Sequence, residues 1–186
     1  MVKLVVVDWD DLFWDVYELA DRVRKSGYKP DMIVAIARGG WVIGRLLSDF
    51  LSVNEAAGLT IKFYKDIGET AEKPRIVQPL RSSLDGRRVL VVDDIVDSGE
   101  TMRLAVEHVK ERGALEVRSA APYLKPWSTF KPDYYVKVVE GWVVFPYEYV
   151  ETIKALEDKI KSLEELKRMG LRGDVVDRLG TYVGGE

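Results

Sequence analysis

The sequence predicts an α/β protein: a mostly parallel sheet flanked by helices, carrying a small hood and followed by a helical extension at the C-terminal end. Three observations predict it. Met32 to Ala37 and Val89 to Val92 are apolar throughout, the composition of parallel strands buried on both faces. Stretches with apolar residues at helical intervals alternate with such runs. Both runs end in turns, Arg38-Gly39-Gly40 and Asp93-Asp94 onward, that open directly into helical patterns. The carboxyl ends of such strands are where open α/β sheets bind ligands.

Taken in order, Lys3 to Val7 reads as a short strand, with Asp8 or Asp10 placed to cap the helix that follows. Leu12, Phe13, Val16, Leu19, Ala20 and Val23 repeat at helical spacing, and Gly27 is the stop. After the strand Met32 to Ala37, the residues Val42, Ile43, Leu46, Leu47 and Phe50 mark a second helix, and Thr60 to Tyr64 alternates as a strand. Lys65 to Arg87 has almost no apolar periodicity, so it is expected to be a long functional loop that closes over a site. Edge pairing around Arg75 to Val77 is the alternative. Beyond Val92, Leu104, Ala105, His108 and Val109 outline a helix, on which His108 is expected at the surface or at an interface and given no role. Glu116 to Tyr123 is a strand, Lys125 to Pro132 a Pro-punctuated connection, and Tyr134 to Val139 with Trp142 to Phe145 a strand pair turning at Glu140-Gly141. Finally, Ile153, Leu156, Ile160 and Leu163 put an apolar stripe on a charged helix ending at Gly170, and Leu171 to Leu179 adds one short helix. Residues 1-152 are therefore expected to form the main domain with its hood, and residues 153-186 the extension.

Composition excludes several classes of function. The chain of 186 residues has no cysteine and one histidine, which removes disulfides, thiolate metal sites and His-rich zinc chemistry. Any catalytic metal must be held by oxygen. A net charge of −3 supplies no global field to draw nucleic acid or an anionic membrane. With no apolar run near the ~20 residues that span a bilayer and no signal-peptide pattern, a cytoplasmic location is expected.

The chemistry concentrates in Val89 to Met102. Two adjacent carboxylates at a strand end need a cation or hydroxyl donors, and the turn Asp97-Ser98-Gly99-Glu100-Thr101 presents backbone N–H groups at a helix start, which suits a phosphate. A ribose 5-phosphate supplies both. Arg38-Gly39-Gly40 offers a second place where backbone and guanidinium can meet an anion.

The whole stretch, apolar strand, acid pair, then Asp-Ser-Gly-x-Thr, resembles the phosphoribosyl-pyrophosphate signature of type I phosphoribosyltransferases. The segment from Tyr123-Leu124-Lys125-Pro126 to Trp142-Val143-Val144-Phe145-Pro146-Tyr147-Glu148 resembles the base-binding hood of the 6-oxopurine members, so the resemblance covers Val2 to Thr152. It implies a purine salvage enzyme that converts hypoxanthine, guanine or xanthine and phosphoribosyl pyrophosphate to a nucleoside monophosphate and pyrophosphate. The roles it implies are Asp93 and Asp94 at the ribose and magnesium, Asp97 to Thr101 at the 5-phosphate with Asp97 as acid/base, and Arg38, Gly39 and Gly40 at pyrophosphate. It further implies Lys125, Trp142 and Val143 at the base, and Glu148 with Asp93 and Asp94 at Mg2+. A homo-oligomer binding small molecules, with no nucleic-acid or membrane partner, is expected. A phosphoribosyl-pyrophosphate-sensing regulator of the same fold, or an enzyme for another base such as adenine, is the alternative. The Ser-Tyr pair of many hypoxanthine-guanine enzymes is missing from Lys65 to Arg87, which leaves Tyr64, Lys65, Lys73 and Arg75 as candidates to close over the site.

Overall fold

A computed structural model describes residues 3–65, 72–81, 83–156 and 162–183. It contains two compact units, Phe13–Val138 and a second made of Met1–Leu12 with Val139–Glu186. In chain order the elements are β1 (Leu4–Val6), α1 (Trp9–Lys25), β2 (Met32–Ala37), α2 (Gly40–Leu51), β3 (Ala56–Lys65), β4 (Glu72–Gln78) and β5 (Arg88–Val92). Then follow β6 (Ile95–Val96), α3 (Glu100–Glu111), β7 (Glu116–Leu124), β8 (Tyr134–Val138), β9 (Trp142–Val144), α4 (Tyr149–Leu156), α5 (Leu163–Arg168) and α6 (Gly173–Val183). No helix among the described residues is long and apolar enough to cross a membrane.

In the larger unit the sheet is parallel from β3 through β2, β5 and β7 to β8, and only β4 runs antiparallel, at the edge. β2 is apolar at every position, and β5 at every position after Arg88, because both faces of these strands are covered. Val34, Ile36, Val89 and Val91 pack with Met102, Ala105 and Val109 of α3, while Ile33, Ala35 and Val92 meet Gly44 of α2. Each valine, isoleucine or methionine side chain among these, fully buried, stabilises the fold by ~1.5–3 kcal/mol. α1 begins where expected: the Asp8 carboxylate accepts from the Asp11 N–H at 2.7 Å. The helix ends at Gly27, whose φ of 76° is the left-handed turn glycine adopts without strain. Chain order reverses between β2 and β5, since β2 leads through α2 to β3 on one side and β5 leads through α3 to β7 on the other.

Four expectations need correction. Lys65 to Arg87 is not wholly loop: β4 pairs with β3, with Lys62 opposite Arg75 and Phe63 opposite Pro74. This is the edge pairing around Arg75 to Val77 given above as the alternative, and Pro74 is tolerated because an edge strand can spare an N–H; residues 66–71 and 82 lie outside the described residues. Tyr134 to Val139 and Trp142 to Phe145 do not pair with each other. β8 lies parallel to β7, and β9 lies parallel to β1 with Val143 opposite Val5. Gly141, at φ 98°, sits so close to the Lys3 carbonyl that a Cβ would come within 2.5 Å of it, and the Trp142 N–H donates to that carbonyl at 2.8 Å. This bond starts a parallel ladder in place of a hairpin. The C-terminal stripe belongs to more than one helix, because Ser162 is extended and α5 starts afresh at Leu163; Ile160 lies outside the described residues. Ile153, Leu156, Leu166, Leu171 and Val176 share one core with Val144 and Tyr149, so the segment from α4 to α6 and the strand β9 belong to the same unit. His108, last, is half-buried: its Nε2 accepts from the Leu80 N–H at 3.3 Å, tying the chain after β4 to α3.

Candidate active site

The acid pair occupies a break in a strand. β5 pairs with β7 up to Val92 opposite Ala120, the Asp93 N–H donates to the Ala120 carbonyl at 3.1 Å, and pairing resumes in β6 with Ile95 opposite Tyr123 at an unchanged offset. The backbone thus steps over Asp93 and Asp94 without losing register. Asp94 is 7 % exposed, and its N–H donates to Asp93 Oδ1 at 3.0 Å. Burying a carboxylate at a ligand-facing sheet end is costly without a partner to hold.

The turn that follows is built on Gly99. Its φ of 91° and its position against Phe130, where a Cβ would lie 2.6 Å from the Phe130 nitrogen, both demand glycine. Ser98 Oγ accepts from the Glu100 N–H at 3.3 Å, and the Ser98 carbonyl accepts from Thr129 N–H and Oγ1–H at 3.0 and 2.9 Å. Asp93, Asp94, Asp97, Ser98, Gly99 and Thr101 then line one cavity of about 220 Å³, with Phe63 of β3 and Met102 as apolar walls. Phe63 and Met102 were not singled out from sequence; both carry the ordinary signature of core residues. Glu100, exposed at the first turn of α3, is not part of that lining.

The glycine turn after β2 lies hard against the acids. Gly39 has helical angles (φ −58°, ψ −41°), yet a Cβ there would fall 1.7 Å from Asp94 Oδ2, and one at Gly40 would fall 2.7 Å from the Val92 carbonyl. Space, not backbone conformation, therefore calls for glycine at both positions. Arg38 is exposed beside them, following a cis Ala37-Arg38 peptide.

Lys125 is 3 % exposed just past β7, where its N–H donates to the Val96 carbonyl at 3.0 Å. Burial pushes its ammonium below the ordinary lysine range, while the Asp97 carboxylate pulls the other way. The Lys125 Nζ stands 5.4 Å from the ring centre of Trp127, whose indole N–H donates to Asp97 Oδ1 at 2.7 Å. Trp127 was missed in the sequence because a lone aromatic in a Pro-punctuated connection carries no periodic signal.

Trp142, Val143 and Glu148 belong to the smaller unit. Val143 is buried in β9, whereas Trp142, 41 % exposed, and half-buried Glu148 line a cavity of about 470 Å³ with Glu151, Thr152, Lys154 and Ala155. No group of three or more Asp, Glu, His or Cys residues gathers for a metal among the described residues. The pair Asp93–Asp94 still suits Mg2+, which is commonly held by one or two carboxylates together with substrate phosphates.

An acid pair of which Asp94 is buried, a glycine-containing turn into a helix and a second glycine turn converging at a topological switch point define an α/β enzyme that handles sugar phosphates or nucleotides. The chain belongs to the phosphoribosyl transferase domain family, which matches residues 6–152. It is 31 % identical over 149 residues to a xanthine-guanine phosphoribosyltransferase of Gluconobacter oxydans, covering 79 % of this chain and 86 % of that one. A purine phosphoribosyltransferase of Pyrococcus horikoshii is 38 % identical in its crystal structure, with a TM-score of 0.71 over 78 % of this chain and 93 % of that chain. A Neisseria gonorrhoeae protein of undefined function, crystallised with bound ppGpp, is 26 % identical with a TM-score of 0.72 over 85 % of this chain and 97 % of its own. The mostly parallel, helix-flanked fold and the phosphoribosyltransferase class agree with the sequence reading.

Proposed function

We propose that the protein is a purine salvage phosphoribosyltransferase, joining a 6-oxopurine (hypoxanthine, guanine or xanthine) to the ribose 5-phosphate of phosphoribosyl pyrophosphate and releasing pyrophosphate. The observation that carries this is the single cavity holding Asp93, Asp94 and the Asp97 to Thr101 turn, with Gly39 packed on Asp94. Relatives named as xanthine-guanine enzymes support the choice of base.

In the reaction the bond from ribose C1 to pyrophosphate breaks, the bond from C1 to purine N9 forms, and the base gives up a proton. The ribose ring becomes positive as the bond to pyrophosphate stretches, so carboxylates beside it stabilise the transition state. Asp93 and Asp94 hold the ribose hydroxyls. Ser98 to Thr101 receive the 5-phosphate on the backbone N–H groups at the start of α3. Arg38 and the amides at Gly39 and Gly40 hold the departing pyrophosphate, and Asp97 takes the purine proton at N7. Lys125 donates to the 6-oxo group, while Trp142 stacks on the base and the Val143 backbone meets its edge. Asp93 and Asp94 would hold Mg2+, with Glu148 as the further ligand that the resemblance implies, and the ion would supply neutralisation of the pyrophosphate charge. The guanine nucleotide carried by the Neisseria neighbour has the same two chemical parts, a 6-oxopurine and phosphates. We infer that the enzyme is a cytoplasmic homo-oligomer acting on small molecules, with neither nucleic acid nor membrane as partner.

The test is Asp93→Asn with Asp94→Asn. A folded double variant should lose at least ~100-fold in turnover, the scale of removing transition-state charge stabilisation. Turnover near that of the wild type would mean that the acids are not the ribose site.

A further inference from the structure

The connection after β7 is laced to the turn between β6 and α3 at several points. Thr129 donates twice to the Ser98 carbonyl, Arg103 of α3 donates to the Thr129 carbonyl at 3.0 Å, and Phe130 closes against Gly99. Earlier in the same connection stands Trp127, next to Asp97. Its ring is 55 % exposed, and its indole N–H is nevertheless turned onto Asp97 at 2.7 Å instead of onto water. The ring also carries the Lys125 ammonium 5.4 Å from its centre. One side chain thus touches both Asp97 and Lys125.

We propose that Trp127 is a positioning residue, holding the Asp97 carboxylate in the orientation that meets the purine while the Trp127 ring steadies Lys125. This rests on the reading of Asp97 as the acid/base of the transfer. An exposed aspartate on a turn can rotate its carboxylate among several orientations. A hydrogen bond to Oδ1 fixes the carboxylate plane and so directs Oδ2. An indole is suited to the task because it has a donor and no acceptor, so it can only face the carboxylate with its N–H. Its flat body restricts the lysine without competing for the ammonium protons. The bond is charge-assisted, and losing an orienting contact of this kind costs about 10- to 100-fold in function.

The experiment is a double-mutant cycle on single-turnover rates, using Trp127→Phe, which keeps a ring and removes the N–H, in the wild-type and Asp97→Asn backgrounds. In the wild-type background the rate should fall at least ~10-fold while affinity for phosphoribosyl pyrophosphate changes less than ~2-fold, because the phosphate turn keeps its Thr129 and Phe130 braces. In the Asp97→Asn background the same substitution should change the rate less than ~2-fold. Equal losses in both backgrounds, or a wild-type rate in Trp127→Phe, would overturn the positioning role alone. A wild-type rate in Asp97→Asn would overturn the acid/base reading and this inference with it.

Discussion

Replacing Gly39 by alanine adds one methyl group in the most confined space of the site. At φ −58° and ψ −41° alanine is at ease, and the substitution should gain up to ~1 kcal/mol from lower unfolded-chain entropy. The new Cβ, however, would stand 1.7 Å from Asp94 Oδ2 and 2.4 Å from its Cγ. Restoring an ordinary contact of about 3.4 Å requires roughly 1.7 Å of movement, and Asp94, only 7 % exposed, has little room to supply it. A misplacement of ~1 Å in a positioned group can cost ~100-fold in rate. Gly39→Ala should therefore lower turnover about 100-fold and also lower the thermal midpoint, since an entropy gain of up to ~1 kcal/mol offsets only part of an overpacking cost of about 1–3 kcal/mol. Steady-state pyrophosphate release and a thermal melt on the same sample measure both quantities. Gly58→Ala is the control, since its Cβ would meet the Trp41 indole at 2.8 Å, but Trp41 is 55 % exposed and can swing aside. Turnover of Gly39→Ala within threefold of the wild type would refute the claim that Gly39 is there to make room for Asp94.

Two further outcomes are expected. Burial, and after it the charge of Arg112, hold His108 below its ordinary pKa of 6.5, with Glu111 opposing. The unfolded chain therefore takes up this proton first as pH falls, so stability is complete above about 6.5 and is lost as pH drops toward the lower folded value. His108→Gln keeps an acceptor for the Leu80 N–H without the titration. Its urea midpoint should fall less than that of the wild type between pH 7.5 and 5.5, and equal falls would show that His108 contributes nothing to the acid limb. Lys125→Ala should lower efficiency with hypoxanthine or guanine far more than with adenine, because only a 6-oxo group accepts from an ammonium. Equal losses with all three bases would separate Lys125 from the 6-position.

The parallel core and the acid turn were legible because each rests on local chemistry. Met32 to Ala37 is apolar at every position since both faces are covered, and Gly99 stands where no other residue fits. What was not legible depends on partners distant in sequence. β9 could be read as a strand from Trp142 to Val144, but nothing local says that its partner is Val5 and not Tyr135. β4 was legible only as an alternative, edge pairing around Arg75 to Val77, because its extent and register are set by β3. For the same reason the role of Gly39 in making room for Asp94 shows only once β2 and β5 lie side by side. Trp127 joins Asp97 across a turn that no motif spans.

The central claim is that a sugar-phosphate site made by Asp93, Asp94 and the Asp97 to Thr101 turn serves a 6-oxopurine. Its most direct measurement is pyrophosphate release by the wild-type protein with phosphoribosyl pyrophosphate and magnesium, offered hypoxanthine, guanine, xanthine, adenine and uracil in turn. A site built on one donor to the 6-position can reject a mismatched analogue by as much as ~10⁴-fold. Turnover is expected with at least one 6-oxopurine, with adenine disfavoured by a factor approaching that size. Adenine or uracil turned over as efficiently as the best 6-oxopurine would contradict the claim.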